Sequence, residues 1–350
     1  MTLPDVVDPG PAADRAPSRS RGRSVALLLL ALTAAGLFVP ALLLTGTRLV
    51  AEVTGTDVGT VVRLQSFAPL GLPLYAVLGL LLAGPALRGR ARRRWWRAGL
   101  AAAAGGLALH AWWWSPQVLG ETPEPAPGAE RVVVMSANLL AGSGDATALV
   151  EEARRRGAAL LVVQEITDSS LAAMDAAGVA DLLPHRVGEP ARDHDVAGTM
   201  IFSRTAMTDL ERLPTRFGSY SVSVGGLTLL GVHPVAPVDG AEWRTDQETV
   251  RAAAVAADAD LVVGDLNATN DHEPLQALHD DGFRDAAELA NAGWQPTWPA
   301  NHLGIVPALP PVVAIDHVLL GPRLTALDTD TVVLAGTDHK ALVATVARRS

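Results

Sequence analysis

Cysteine is absent from all 350 residues. That excludes a disulfide framework, a thiolate zinc site, an iron–sulfur cluster and a Cys nucleophile. Lysine is nearly absent too, Lys340 being the only one. Charged residues make up only 19% and hydrophobic residues 49%, a balance too apolar for a disordered chain. No G-x-G-x-x-G and no P-loop follows an apolar run, so a dinucleotide fingerprint and a Walker-type phosphate cradle are both missing. Residues 131–350 contain no internal repeat.

The charge that is present is segregated. Residues 1–120 carry 12 Arg, no Lys and 5 acidic residues, net +7, whereas residues 121–350 carry 16 basic and 32 acidic residues, net −16. The two parts are different objects. An acidic body disfavours nucleic acid as a partner, because it repels the phosphate backbone.

The front part reads as a membrane anchor. Stretches 24–47, 64–87 and 98–120 contain no Asp, Glu, Lys or Arg and are 24, 24 and 23 residues long. About 20 apolar residues suffice for a helix to cross the hydrocarbon core. The expectation is therefore three transmembrane helices over 24–120, in contact with membrane lipids, behind a basic N-terminus at 1–23. The second stretch carries Pro69, Gly71, Pro73 and Pro85, so irregular ends are expected there. A cleaved signal peptide is the competing reading of the first stretch, but its apolar run exceeds the usual signal core. Arg88, Arg90, Arg92, Arg93, Arg94 and Arg97 lie between the second and third stretches, while the 48–63 connection has only Arg48 and Arg63. The positive-inside rule then puts the N-terminus and the 88–97 loop in the cytoplasm. Three crossings leave everything beyond residue 120 extracytoplasmic. Trp112 to Trp114 mark an interface, and His110 reads as near-interface filler rather than a proton relay. The stretch 121–130, with Pro123, Pro125 and Pro127, reads as an extended linker that lifts the next domain off the bilayer.

From residue 131 the chain reads as a mixed α/β sandwich. Short apolar runs at 132–137, 160–163, 227–232, 261–264 and 312–315 suit buried strands, and each ends in polar residues: Asn138, Gln164-Glu165, His233, Asp265-Leu266-Asn267 and Asp316-His317. Helical patterns fill 145–156, 168–177, 240–257 and 272–281. The segments 220–224 and 227–232, joined by Gly225-Gly226, predict a β-hairpin. A polar residue at one strand end merely starts a loop. Five such ends, offering Asn, Glu, Asp and His, suggest one cleft. Their carboxylate and amide oxygens suit a hard cation such as Mg²⁺ or Mn²⁺. Asp265 and Asn267, two apart, would share one strand face. His339 needs a carboxylate to hold its tautomer, and Asp316 is the candidate.

Other residues receive plainer readings. His185, His194, His279 and His302 are expected on the surface or in loops, and His272 and His317 in packing. Arg204 and Arg216 are expected to pair with surface carboxylates. Trp298 suits a substrate groove and a structural plug equally well.

Asn138, Gln164-Glu165, Gly264-Asp265-Leu266-Asn267, Ile315-Asp316-His317 and Thr337-Asp338-His339, in this order, resemble the motifs of the endonuclease/exonuclease/phosphatase superfamily. The three-span front further resembles its membrane-anchored bacterial branch, which includes glycopeptide-resistance-associated proteins. The resemblance covers about residues 131–347 and implies a four-layered, DNase I-like α/β sandwich that directs metal-dependent attack of water on phosphorus. It implies that Glu165 is the principal Mg²⁺ (or Mn²⁺) ligand, with Asn138 and Asp338 beside it. Asp265 and Asn267 would orient water and bind phosphoryl oxygens. His339, paired with Asp316, would be general base or transition-state stabiliser, and His233 would contact the phosphate or the leaving group. Asn138 would lie next to the substrate as well.

Three functions follow as expectations. The first is a membrane-anchored, extracytoplasmic phosphatase or phosphodiesterase for a lipid-linked or small phosphorylated substrate. The second is an extracytoplasmic nuclease. The third is a non-enzymatic binding or sensor protein on the same fold.

Overall fold

The short apolar runs form strands buried on both faces. The computed structural model describes residues 18–54, 57–88, 93–303 and 309–350. The strands are β1 (Arg131–Asn138), β2 (Leu160–Gln164), β3 (His185–Glu189), β4 (Thr199–Ser203), β5 (Met207–Arg212), β6 (Tyr220–Val224), β7 (Leu227–Val232), β8 (Leu261–Asp265), β9 (Arg284–Asp285), β10 (Asp316–Leu320), β11 (Leu324–Val333) and β12 (Lys340–Arg348). The helices are α1 (Ser18–Thr54), α2 (Gly59–Gln65), α3 (Gly71–Arg88), α4 (Arg93–Trp114), α5 (Pro116–Leu119), α6 (Ala146–Arg156), α7 (Asp168–Ala176), α8 (Val179–Leu182), α9 (Gly240–Ala256), α10 (Glu273–Asp280) and α11 (Ala286–Leu289).

Two six-stranded sheets result, ordered β11-β12-β1-β2-β4-β3 and β5-β6-β7-β8-β10-β9. Side chains alternate across a strand, so one apolar run serves two cores. Val134, Leu160, Val162, Leu261, Val263 and Val318 pack between the sheets. Met135, Leu161 and Val163 turn outward onto Leu149 of α6 and Met174 of α7. Leu230 and Val262 turn onto Trp243 and Val250 of α9 and Leu275 of α10. The order is helix, sheet, sheet, helix: a four-layered α/β sandwich. Asp145 caps α6 by accepting from Ala148 N, and Gly157 ends that helix in the left-handed region, as the predicted 145–156 pattern requires.

The predicted hairpin is β6–β7. Gly225 and Gly226 sit at φ 58° and 75°, the pair of left-handed residues that a tight hairpin turn demands. β1 pairs parallel with β2, and β7 with β8. The carboxyl ends of these four strands therefore share one rim. β10 runs antiparallel to β8 with Asp316 opposite Asp265, and β12 runs antiparallel to β1, so each brings its first residues to that same rim. This corrects one expectation. The run 312–315 is not a strand ending in Asp316. Only Val313 bridges, to Trp298, and the strand begins at Asp316, because its apolar core is Val318-Leu319-Leu320.

The front of the chain forms a helix bundle. α1, α3 and α4 pack around Ala41, Tyr75, Leu78, Leu82 and Ala103. Small residues permit close approach: a Cβ on Gly106 would lie 2.4 Å from the Tyr75 ring. Among the described residues two helical segments, Ser24–Val50 and Ala68–Leu87, are long and apolar enough to cross a membrane, not three. The third stretch differs because its helix begins among Arg93, Arg94 and Arg97, is diluted by Ala and Gly, and stops at Trp114. The second stretch starts irregularly, as its prolines predict: α2 ends at Gln65, and a 3₁₀ turn over Ala68–Leu70 precedes α3. Residues 1–17 and 89–92, which carry much of the Arg-based orientation argument, lie outside the described residues.

The linker does not act as a spacer. Thr325 Oγ1 donates to Pro123 O at 2.8 Å and Ala126 N to Arg348 O at 2.9 Å, pinning it along the sandwich. The sandwich rests directly on the bundle. Arg48 of α1 pairs with Asp271 and stacks over Trp113 at 4.2 Å. His272 accepts from Thr269 N at Nδ1, so its Nε2 donates to Val62 O of α2 at 2.9 Å.

Gly264 is required by close strand approach at the rim. A Cβ there would lie 1.9 Å from Val232 O. Gly264→Ala is expected to destabilise the sandwich by about 1–3 kcal/mol, read as a lower melting temperature in thermal unfolding; an unchanged melting temperature would contradict the packing described.

Candidate active site

Each motif residue stands where a rim strand begins or ends. Asn138 closes β1, Glu165 follows β2, His233 follows β7 and Asp265 closes β8. Asp316 opens β10, and Asp338-His339 lead into β12. Seven side chains from six strands thus meet. Their sequence separations exceed any local periodicity, and the sheet order alone brings them together.

Glu165 is held by donors on two sides. Asn138 Nδ2 donates to its Oε1 at 3.0 Å, and Ala141 N to its Oε2 at 2.6 Å. The second bond exists because Leu140, Ala141 and Gly142 all adopt positive φ, as Glu165 itself does at 52°. Such backbone is costly for residues other than Gly and concentrates at functional sites. Asn138 Nδ2 also donates to Asp265 Oδ2 at 2.9 Å, so one amide bridges two carboxylates. Its own Oδ1 accepts from Leu140 N at 2.9 Å.

His339 lies at the centre of the carboxylates. Its Nδ1 is 2.8 Å from Asp316 Oδ2, as the tautomer argument expects. Its Nε2 lies 3.7 Å from Asp265 Oδ2 and 3.9 Å from Asp338 Oδ1. His233 is wholly buried, with Nε2 3.8 Å from Asp265 Oδ2 and 4.0 Å from Glu165 Oε1. Its Nδ1 has no hydrogen-bond partner among the described residues.

Asn267 reaches the site differently from the same-face argument. The strand stops at Asp265, and Asn267 turns into the left-handed region at φ 47°. Its N donates to Asp265 Oδ1 at 2.8 Å, and its Nδ2 to Pro234 O at 3.0 Å. Asp338 is anchored by Trp298 Nε1, which donates to Oδ2 at 2.9 Å, while its buried Oδ1 has no hydrogen-bond partner among the described residues. The indole both positions an acidic group and lines the cleft, so the two readings of Trp298 coincide.

Electrostatics separate the groups. Burial raises the Glu165 pKa, opposed by the Asn138 and Ala141 hydrogen bonds. Burial likewise raises Asp265, opposed by His339 and reinforced by Asp316. Burial pulls His233 down, which keeps it neutral. For His339 burial also pulls down, but Asp316 and Asp265 outweigh it and push the imidazole up to about 10. The Glu165 side of this cluster could hold a hard cation. Glu165 and Asp338 offer carboxylate oxygens, and Asp338 Oδ1 is the kind of buried orphan that a cation satisfies. Asp265, Asp316 and His339 form a second candidate group, with ligand atoms within 4.8 Å of one another. There the His339–Asp316 hydrogen bond already occupies two of the donors.

Several plainer readings need adjustment. His317 is buried against Asp285 at 2.5 Å and Ala268 O at 2.9 Å, which supports the Asn267 loop from behind. His279 is half-buried on α10 rather than in a surface loop. Arg204 donates to Gly157 O and Ala158 O instead of a carboxylate, whereas Arg216 pairs with Glu242 at 3.3 Å as expected. Phe67, Arg63 and Phe217 line the cleft unannounced by any motif.

A His whose folded pKa is raised contributes stability that is full below its ordinary value near 6.5 and is lost as pH climbs toward about 10. Asp316→Asn removes the foremost opposing charge, so the His339 pKa should fall in the metal-free protein, and with it the stability lost over that interval. An NMR titration of the imidazole checks this; an unmoved titration would separate Asp316 from His339.

Residues 135–339 match the Endonuclease/Exonuclease/phosphatase family. No curated protein matches the chain, and no comparison reaches the membrane-anchored, glycopeptide-resistance branch. Similar solved structures include TDP2 from D. rerio complexed with single-strand DNA product, at 15% identity and TM-score 0.50, covering 62% of this chain and 99% of that one. An AP endonuclease from Archaeoglobus fulgidus has 12% identity and TM-score 0.49, covering 61% and 98%. The 3' phosphatase NExo from Neisseria, bound to product DNA hairpin, has 17% identity and TM-score 0.48, covering 61% and 98%. At 15% identity the likeness to the D. rerio TDP2 structure is one of fold. The family match runs from within β1 to His339 and takes in more than half of the chain, which therefore belongs to the endonuclease/exonuclease/phosphatase family, whose membership implies phosphoester hydrolysis with a divalent metal.

Proposed function

We propose that the chain is a membrane-anchored, extracytoplasmic phosphohydrolase, a phosphatase or phosphodiesterase, acting on a lipid-linked or small phosphorylated substrate. The observation that carries the chemistry is the Asp316–His339–Asp265 array facing Glu165 across one cleft. Glu165 and Asp338, with Asn138 beside them, would hold Mg²⁺ or Mn²⁺, which when bound polarises the phosphoryl group and neutralises developing charge. His339, kept protonated by Asp316, donates from Nε2 to a phosphoryl oxygen. Asp265, with its raised proton affinity, takes a proton from the attacking water. Asn267 fixes the carboxylate of Asp265 and lies beside a phosphoryl oxygen. His233, neutral and buried, contacts the phosphate or the leaving group. Displacement is in line, with positioning and charge supplying most of the catalysis.

Two observations support the location. Leu28, Leu29, Leu32, Val39 and Leu80 are exposed on the two apolar helices, as lipid-facing residues are. The sandwich docks on Arg48 near the end of α1 and on Val62 of α2, and α3 runs on from there to Arg88, where the Arg-rich stretch of the sequence begins. α4 packs antiparallel to α3, Gly106 meeting Tyr75 and Gly99 meeting Leu82, and so follows α3 back toward the sandwich. The loop side is cytoplasmic by the positive-inside rule, which leaves the sandwich outside. The net charge of −16 over residues 121–350 weighs against a polyanionic duplex.

Glu165→Gln should lower both Mg²⁺ affinity and turnover while the fold survives, and EDTA should abolish turnover. Full activity in the variant would remove Glu165 from the site. For topology, a C-terminal tag should be reachable from outside intact cells and a tag in the 88–97 loop should not; protease protection of the sandwich in intact spheroplasts would overturn the placement.

A further inference from the structure

The catalytic rim is only the floor of a larger cleft of about 630 Å³. Its walls are apolar and come from two parts of the chain. Phe217, Val238, Trp298, Val313 and Ile315 belong to the sandwich, and Phe67 belongs to the turn between α2 and α3 of the bundle. Phe217 packs on His233 with ring centroids 4.9 Å apart, so the apolar wall descends to the reacting groups. Arg63 of α2 and Arg216 also line the cleft, bringing positive charge beside the acidic floor.

The bundle's share of this wall is built in. Gln65 Nε2 donates to Asp271 O, Arg48 pairs with the Asp271 carboxylate, and Val62 O receives His272 Nε2. Gly59 backs onto the loop after β7 so closely that a Cβ would lie 2.7 Å from Val238 O. These contacts fix α2 and Phe67 over the catalytic floor. Val238 nevertheless keeps 76% of its surface exposed. A bare apolar side chain beside other apolar wall residues and a polar floor marks a surface that a ligand covers. A small soluble phosphate would use the floor alone and leave this wall in water. An amphiphile in the layer that holds α3 has both parts that the cleft requires, an apolar chain and a phosphoryl group.

Resting on the phosphohydrolase reading above, we propose that residues 59–67 of the anchor are part of the substrate site. The cleft takes the hydrocarbon chain of an amphiphilic phosphate whose phosphoryl group reaches Glu165 and His339. The anchor is then a specificity element as well as a tether.

The test uses the full chain in detergent micelles with Mg²⁺ and two probes of equal head group, farnesyl and isopentenyl pyrophosphate. The expected kcat/KM is at least about tenfold higher for the farnesyl probe, since each buried methylene adds to affinity. Phe67→Asp and Val238→Asp should each bring that ratio toward one, and the exposure of Val238 makes the second substitution compatible with folding. Equal kcat/KM for the two probes, or a ratio that neither substitution moves, overturns the proposal. Binding of both probes to the His339→Ala protein separates the two levels of inference. Chain-dependent binding without turnover in the parent protein retains the cleft and rejects the hydrolase, whereas binding without chain dependence rejects the cleft whatever the turnover.

Discussion

Four carboxylates, Glu165, Asp265, Asp316 and Asp338, are crowded around His339 at one rim, and the structure is arranged to hold that charge together. Burying like charges is costly unless each is paired or hydrogen-bonded. His339 stands between Asp316, Asp265 and Asp338, and Asn138 joins Glu165 to Asp265. Trp298 takes one oxygen of Asp338. The two oxygens without a hydrogen bond among the described residues, Asp338 Oδ1 and Asp316 Oδ1, are of the kind that hard cations seek. The acidic excess of the site is thus the feature that makes a divalent cation its natural complement.

The sandwich exists to hold these groups at one height. Strands with apolar residues on both faces permit a core between the sheets and a second core beneath each helix layer. Parallel pairing of β1 with β2 and of β7 with β8 aligns carboxyl ends, and antiparallel β10 and β12 return amino ends to the same edge. The positive-φ turn at Leu140-Ala141-Gly142 aims Ala141 N at Glu165, and that hydrogen bond offsets part of the strain.

Contact between bundle and sandwich gives the site its second character. A connection between two apolar helices, carrying α2 and Phe67, closes one side of a cleft whose floor is charged. The Arg48–Asp271 pair, held over Trp113, and the His272–Val62 hydrogen bond replace the spacing that a Pro-rich linker would otherwise provide. The linker instead runs along β11 and β12.

Local features of the sequence determined a good deal. Short unbroken apolar runs marked β1, β2, β7 and β8, the paired glycines at 225 and 226 marked the hairpin, and polar residues at strand ends marked the rim. The ordered motif residues also pointed to the family, because each keeps its chemistry at its own strand terminus. Only the tertiary structure decided the rest. That Asp316 opens a strand follows from the antiparallel partner β8, not from the run before it. That Asn267 leaves the strand follows from its left-handed backbone, and that Asp338 is anchored by Trp298 follows from a contact across 40 residues of sequence. Phe67 and Arg63 carry no motif, since their place in the cleft is created by docking between the two parts of the chain. Periodicity records which face of an element is buried. Which elements meet depends on sheet order and packing, and those are properties of the whole chain.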